Sequence, residues 1–384
     1  MPIRSVSRGS TSSIFQTAQQ TWSSRLMPMP SAIGASSLSL IWDDKVPRRA
    51  KATGLAWPLP ASAPIMALGA MDAAEHPHKA LVIVNPVARN LPSRRSLERA
   101  ASALAEAGWQ ARWQETASPG HATALAAGAA AEGCALVLVC GGDGTLREAA
   151  CGLVGSGTAL APIPAGTVNI WARETGIPRR PEAAVRTVLA GERRLVDVGR
   201  AGDQRFLLMA GLGLDGHIAA RVGLRAKRRL GAAAYAFTAA LESLRWRGRP
   251  LTVRADGEII AARALMLVAG NTRNYAGLVQ VTPLARADDG LLDLCLFQGD
   301  GLRDIVLHVL LVALGRHLRS SRVVYRQVRR LELDADAPLP MQLDGDPLPL
   351  REPVIEALPG VLWAVVRRGL RSPLFGSSPR PGRA

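Results

Sequence analysis

Residues 135–140, ALVLVC, are six apolar residues in a row, and they run without a spacer into Gly141-Gly142-Asp143-Gly144-Thr145 and then a helix-forming stretch from Leu146. This junction constrains the fold more than any other segment of the chain. A strand this continuous in hydrophobicity must be covered on both faces, as in a parallel sheet flanked by helices, not in a sheet with one wet side. Glycines at its carboxyl end let the backbone bend sharply and approach a ligand closely. The helix that follows presents unpaired N–H groups and the positive end of its dipole, which suits phosphate. Asp143 at the same point would be repelled by bare phosphate and makes sense with a cation such as Mg2+; the plain alternative is a tight turn with Asp143 as a helix cap.

The surrounding sequence repeats the strand–helix rhythm. Strands are expected at 80–85, 109–115, 135–140 and 160–164, with helices at 94–108, 121–133 and 181–190. That alternation implies an α/β domain with a parallel sheet and helices on both faces. After about Val196 it gives way to short strand candidates at 206–211, 251–255, 258–266, 292–297, 323–328, 330–333 and 340–343, with helical insertions at 218–244 and 302–318. Many short strands joined by turns indicate a β-rich, antiparallel, sandwich-like second domain. The expected division is a nucleotide-binding domain over 76–197, rejoined by 360–370 through a last strand at 362–366, and a substrate domain over 198–359. Residues 1–75, rich in Ser, Thr and Pro without a sustained period, are expected to be a disordered leader or a start-site artefact, and 371–384 a disordered basic tail.

Composition excludes several classes. Cys134, Cys140, Cys151 and Cys295 are scattered with no C-x-x-C pair, which argues against a zinc ribbon or a disulfide framework and for a reducing compartment. The best apolar run, 305–315, is eleven residues and contains His308, whereas a spanning helix needs about 20. Lys and Arg outnumber Asp and Glu by 47 to 31, so anionic partners are favoured. Arg221, Arg225, Lys227, Arg228 and Arg229 lie near Leu224, Leu230, Tyr235 and Phe237, and Arg245, Arg247 and Arg249 surround Trp246. This pattern fits either a membrane-facing surface or a solvated, Arg-biased helix. His121 and His217 read as ordinary packing or surface residues.

Two further loops belong to the carboxyl edge of the first sheet. Asn85-Pro86-Val87-Ala88-Arg89 follows the first strand, where Arg89 could bind phosphate and Asn85 could hold the loop. Pro164-Ala165-Gly166-Thr167-Val168-Asn169 follows the strand after ALVLVC and offers the Thr167 hydroxyl and Asn169 amide to a nucleotide. In a parallel sheet such loops share one crevice. In the second domain, Asp289 and Asp293 flank a Gly turn, as hard oxygen ligands for Mg2+ or as a solvated hairpin. Asp344 and Asp346 stand two apart, so strand alternation points both to one side, suiting one as general base and the other as metal ligand.

Taken in order, NPxxR at 85–89, GGDGT at 141–145, PAGTxN at 164–169, DGLLD at 289–293 and LDGD at 343–346 resemble the diacylglycerol kinase catalytic-domain family, which includes bacterial lipid kinases and sphingosine and ceramide kinases. The resemblance spans about 79–367. It implies ATP bound by the first three segments with Thr116 also at the nucleotide, and phosphoryl transfer to a lipid hydroxyl between the two domains. It implies Mg2+ held by Asp289 with the carbonyls of Arg286 and Leu291. Three departures stand out: Asp346 where the family usually has Glu, Arg147 where many relatives have Asn, and Ile170 where many have Asp. The shorter Asp346 sets its carboxylate about 1.5 Å further back, and Arg147 is expected on a solvated face.

The resulting expectation is an ATP- and Mg2+-dependent lipid kinase, cytoplasmic and peripheral to an anionic membrane, with Asp346 or Asp344 as base. A homodimer is left open and nucleic acid is not an expected partner. The rivals are an NAD kinase-like enzyme for a soluble substrate, because GGDGT is shared with that group, and a catalytically degenerate nucleotide-binding regulator at the membrane.

Overall fold

Met66–Ala67 (β1) and Lys79–Val84 (β2) open the structure, a computed structural model that describes residues 66–67, 78–221, 241–336, 339–348 and 354–376. All of these lie within one compact unit, Pro60–Ala384. After β2 come Arg94–Glu106 (α1), Gln110–Glu115 (β3), His121–Ala131 (α2), Leu136–Gly141 (β4), Asp143–Leu153 (α3), Ala159–Pro164 (β5), Ile170–Glu174 (α4) and Pro181–Leu189 (α5). The four strands β2 to β5 pair in parallel in the order β3–β2–β4–β5.

Their continuous hydrophobicity has a direct structural cause. Because successive strand residues face opposite ways, Leu81, Ile83, Val137, Val139 and Leu160 pack with Ala122, Ala126 and Ala129 of α2 and with Leu146, Ala149 and Leu153 of α3. Their neighbours Val82, Val84, Leu136, Leu138 and Ile163 pack on the other side with Ala100 and Leu104 of α1 and with Ala184, Val185 and Val188 of α5. One apolar strand thus supplies two cores.

The β-rich half follows: Glu192–Ala201 (β6), Gln204–Phe206 (β7), Met209–Gly213 (β8), Leu214–Arg221 (α6), Arg249–Ala255 (β9), Glu258–Gly270 (β10), Asn274–Tyr275 (β11), Val279–Gln280 (β12), Leu292–Gln298 (β13), Leu302–Ala313 (α7), Val323–Val328 (β14), Arg330–Asp334 (β15), Met341–Leu343 (β16), Asp346–Leu348 (β17) and Val354–Val366 (β18). Its strand pairings are antiparallel. This is the α/β plus antiparallel β-rich architecture expected from the sequence. β18 joins the halves: it pairs antiparallel with β15 and β6, and its Ala364 lies parallel to Leu160 of β5.

Three sequence expectations need correction, and one strand has no counterpart among them. The strand expected at 206–211 is broken at Leu207 and Leu208, because the N–H groups of Leu207, Leu208 and Met209 all donate to the Asp344 carboxylate. β6 was hidden by its charged residues: Arg193 and Arg194 are buried within it, Arg193 under the Trp363 ring and Arg194 under Phe375. Of the expected leader, the described 66–67 form a strand against Arg193 and Glu192. Of the expected tail, Leu374 and Phe375 are buried, and the Leu374 carbonyl accepts from Ala287 N–H at 2.9 Å. Residues 1–65, 68–75 and 377–384 of those two expectations, together with Leu224 to Phe237 of the basic cluster, lie outside the described residues.

Candidate active site

The carboxyl ends of β2, β3, β4 and β5 line up in register, with Val84 opposite both Glu115 and Cys140, and Gly141 opposite Pro164. Their loops therefore leave the sheet at one edge, and side chains stitch them together. Asn85 Nδ2 donates to Thr145 Oγ1 at 2.8 Å, while its Oδ1 accepts from Val87 N–H. Asn90 Nδ2 donates to the Gly166 carbonyl at 2.7 Å. Asn169, in the left-handed region at φ 55°, closes the third loop: it accepts from Gly166 N–H and donates to the Gly166 carbonyl, both at 2.8 Å. Thr116 N–H donates to the Val84 carbonyl, so Thr116 stands on the same edge.

Gly142 and Gly166 are where two of these loops cross. A Cβ on Gly166 would lie 2.6 Å from Gly142 Cα, and one on Gly142 would lie 3.3 Å from Gly166 Cα. Only glycine lets the backbones pass this closely. Gly142 is also the N-cap of α3, so the N–H groups of Asp143, Gly144 and Thr145 precede the first intrahelical bond, which Leu146 N–H makes to the Gly142 carbonyl. Arg89, Pro86 and Thr167 are exposed beside this cradle, and Arg89 has no ion pair with any described residue. Unpaired helix-start amides, an available guanidinium and a backbone cradle that a Cβ would fill suit a polyphosphate.

Asp143 does not cap α3 and does not hang free. Its Oδ2 accepts from Ile170 N–H at 3.0 Å and its Oδ1 from Trp171 N–H at 3.2 Å, so it caps α4 of the neighbouring loop. Burial pushes its carboxyl above the usual range, and the N–H bonds from Ile170, Trp171 and Asn169 and the charge of Arg173 oppose the rise. Position 170 thus serves through its backbone, which explains why an apolar side chain is tolerated there.

Asp344 and Asp346 part company. Asp344, at φ 51°, turns inward: its oxygens take the N–H groups of Leu207, Leu208 and Met209 at 2.8, 2.9 and 2.9 Å. Burial pushes its carboxyl up to about 6, against the pull of those three N–H bonds and of Arg147. Asp346 points to the first half of the molecule, its Oδ2 only 3.6 Å from where a Cβ on Gly144 would stand. A carboxylate from the β-rich half therefore overlies the first turn of α3.

Arg147 corrects a sequence expectation. Its side chain is 16% exposed, not on a solvated face, and its Nη2 meets Asp346 Oδ2 at 3.0 Å. α3 carries it on the turn after Gly144, one helical turn from the unpaired amides of the helix start. No sequence signal linked two residues 199 apart, although both were departures from the family pattern.

The 286–291 turn forms a separate acidic site. Asp289 Oδ1 accepts from Leu291 N–H at 3.1 Å, and burial raises its carboxyl. Asp197 of β6, not singled out in the sequence, accepts from Gly290 and Gly360 N–H at 2.6 and 2.7 Å. Burial pushes Asp197 up to about 7, opposed by those bonds and reinforced by the charges of Asp289 and Asp288. Asp293, expected beside Asp289, is instead enclosed in β13 with the Tyr325 hydroxyl donating to it. Among the described residues no three His, Cys, Asp or Glu side chains are grouped to hold a metal. Neighbouring carboxylates and turn carbonyls are nonetheless a hard-oxygen donor set that a divalent cation would relieve.

Among the described residues no helix is long and apolar enough to cross a membrane. The described part of the basic cluster lines a hollow of about 450 Å3, where Arg221, Arg245, Arg247 and Arg249 share the wall with Trp246, Arg249 over its ring, and His217 meets Glu242 at 2.8 Å. His121 accepts from Ala117 N–H and closes the turn before α2.

Two family models match the chain: the diacylglycerol kinase catalytic domain over residues 79–201, and the YegS C-terminal NAD kinase beta sandwich-like domain over 209–366. The diacylglycerol kinase of Bacillus subtilis (strain 168) is 27% identical over 272 residues, 70% of this chain and 89% of that protein. A Pseudomonas putida protein described as a probable lipid kinase, YegS-like, is 32% identical over 274 residues, 71% of this chain and 90% of that one. A crystal structure of a diacylglycerol kinase from Bacillus anthracis strain Sterne superposes with a TM-score of 0.60 at 22% identity, over 77% of this chain and 98% of that one, a likeness of fold alone.

Proposed function

The chain belongs to the YegS-like lipid kinase family, and on that premise we propose that it transfers the terminal phosphoryl group of ATP to the hydroxyl of diacylglycerol or a related lipid at an anionic membrane surface. The observation that carries this reading is the Asp346 carboxylate over the first turn of α3, where base, acceptor hydroxyl and terminal phosphate can meet.

The roles follow from geometry and charge. The N–H groups of Asp143, Gly144 and Thr145 face the phosphates, Arg89 adds its guanidinium, and Asn85, Gly142, Gly166 and Asn169 hold the loops in register. Thr116 and Thr167 border the nucleotide. Asp346 accepts the proton as the lipid oxygen bonds to phosphorus, and the bond to the leaving ADP oxygen breaks with its electron pair. Asp344 shapes the turn, since its oxygens are taken up by three N–H donors. Mg2+, when bound, neutralises phosphate charge; Asp143 retains lone pairs for a nucleotide-bound ion, and Asp289 with the carbonyls of Arg286 and Leu291 would hold a structural one.

Asp346→Asn is the test. With radiolabelled ATP and diacylglycerol in mixed micelles, turnover should fall about 10^2- to 10^4-fold, with nucleotide affinity unchanged by calorimetry. Full turnover in the variant would remove Asp346 as base. Labelling of NAD in preference to any lipid would favour a soluble acceptor, and ATP binding without transfer to either would leave a regulator.

A further inference from the structure

α7, LRDIVLHVLLVA, is built the wrong way round for a helix that covers a core. A surface helix ordinarily turns its apolar stripe inward. Here only Ile305 and His308 are buried. Ile305 packs with Leu214, Ile218, Trp246 and Leu265, and the His308 ring sits edge-on to Phe297 with its Nε2 against the Gln298 carbonyl. Leu302, Val306, Leu307, Val309, Leu310 and Leu314 are exposed, Val309 and Leu314 by more than 60%. Residues 302, 306, 309, 310 and 313 recur at helical spacing, so they form one stripe along the solvent side. Single exposed apolar residues need no explanation, but a contiguous stripe marks a surface that meets something.

The charges around the stripe identify what it meets. Acids beside it are already paired: Asp304 with Arg322, and Asp300 with Arg263 at 2.6 Å. Arg303 at its start and Arg316 and Arg319 beyond its end are exposed and have no carboxylate partner among the described residues. Arg247 also reaches the start of the helix, 3.4 Å from where a Cβ on Gly301 would stand. An apolar stripe with unneutralised guanidinium groups at both ends matches an anionic bilayer, acyl chains in the middle and phosphates at the rim. A second copy of the chain would bring one cationic rim against another.

We propose that α7 docks this chain on an anionic phospholipid leaflet, its outer stripe entering the headgroup–acyl boundary and the arginines at its ends holding headgroup phosphates. The connection to the site is short. α6, whose Leu214 and Ile218 pack on Ile305, also contacts β16 and β17, the strands that bracket Asp344, β17 beginning with Asp346. A docked α7 thus holds the catalytic turn one helix away from the membrane. The inference rests on the lipid-kinase reading for its purpose, while its readout needs no catalysis.

The test is flotation of the full chain, without nucleotide, on vesicles of equimolar phosphatidylglycerol and phosphatidylcholine. Val309→Asp/Leu310→Asp should lower partitioning at least ~30-fold and Val309→Ser/Leu310→Ser about tenfold, from lost apolar burial. Both should keep the circular dichroism of the parent, since the altered side chains are exposed; if the Asp pair unfolds, the Ser pair carries the reading. Phosphorylation of a short-chain, monomerically soluble diacylglycerol should be unchanged in both. Vesicle binding within twofold of the parent overturns the proposal. So does a dimer that becomes monomeric in the variants, by sedimentation equilibrium, with vesicle binding retained. If no lipid is phosphorylated yet binding falls in the variants, docking stands and the kinase reading is the one that fails.

Discussion

Arg147 and Asp346, two of the positions where the sequence departs from the pattern it resembles, lie at distant points of the chain and meet at 3.0 Å. If the pair is one solution to one geometric problem, the substitutions must be energetically coupled. At that separation and an effective dielectric of about 20, the gross attraction is about 5.5 kcal/mol. Asp346 is 39% exposed and so screened, while Arg147 is mostly buried with its Nε lacking a partner, so a net coupling of about 1–2 kcal/mol is expected. Arg147→Asn releases Asp346 from its anchor, and a misplacement of about 1 Å can cost 10^2-fold in rate. Asp346→Glu alone lengthens the chain by one bond and drives its carboxylate into Arg147 or onto Gly144. The double variant should recover, because the longer acid no longer needs the longer base. Measured as kcat/KM with lipid micelles, each single change should lose roughly 10- to 100-fold, and the double should lie about 5- to 30-fold above the product of the two. Urea unfolding of the same four proteins should give the same sign of coupling without reference to activity. Losses that multiply within about twofold, a coupling below roughly 0.5 kcal/mol, refute the pairing as a compensating unit.

Gly166→Ala sets a Cβ 2.6 Å from Gly142 Cα, and relieving that overlap should cost about 1–3 kcal/mol of stability, read by urea unfolding, with weakened nucleotide binding by calorimetry. Asp344 has a folded pKa of about 6 against an ordinary 3.8. The folded protein therefore keeps this proton between those values after the unfolded chain has lost it, and stability declines as pH rises through that window. Asp344→Asn abolishes this slope, so the parent's stability advantage over the variant should be about 2 kcal/mol greater at pH 4.5 than at 7.5. A difference independent of pH would overturn the placement of the Asp344 carboxyl in a desolvated position against the amides of 207–209.

Much of the first half could be read from local pattern. The two-faced burial of β4 demands the continuous ALVLVC run, and the sharp exit into α3 demands the glycines after it, so the fold class and the sheet edge that the loops share were both legible. β6 was not, because its arginines read as a polar stretch until Trp363 and Phe375 are folded over them. The division of labour between Asp344 and Asp346 was equally hidden. Residues two apart on a strand point to the same side, but Asp344 sits in a left-handed turn and is captured by three amides of the β7–β8 junction.

What the amino-acid sequence determined by itself is the set of contacts made within a few residues: strand burial, helix starts, turn glycines and the loops that share one sheet edge. Only the tertiary structure decided which acid of the 344–346 turn is spent on backbone amides and which faces the first turn of α3, and that Arg147 lies under Asp346 and not in water. The same holds for the outward apolar stripe of α7. The physical reason is common to all three: the free energy of a charged or apolar side chain is set by the groups brought against it from far along the chain, and spacing along the sequence carries no record of them.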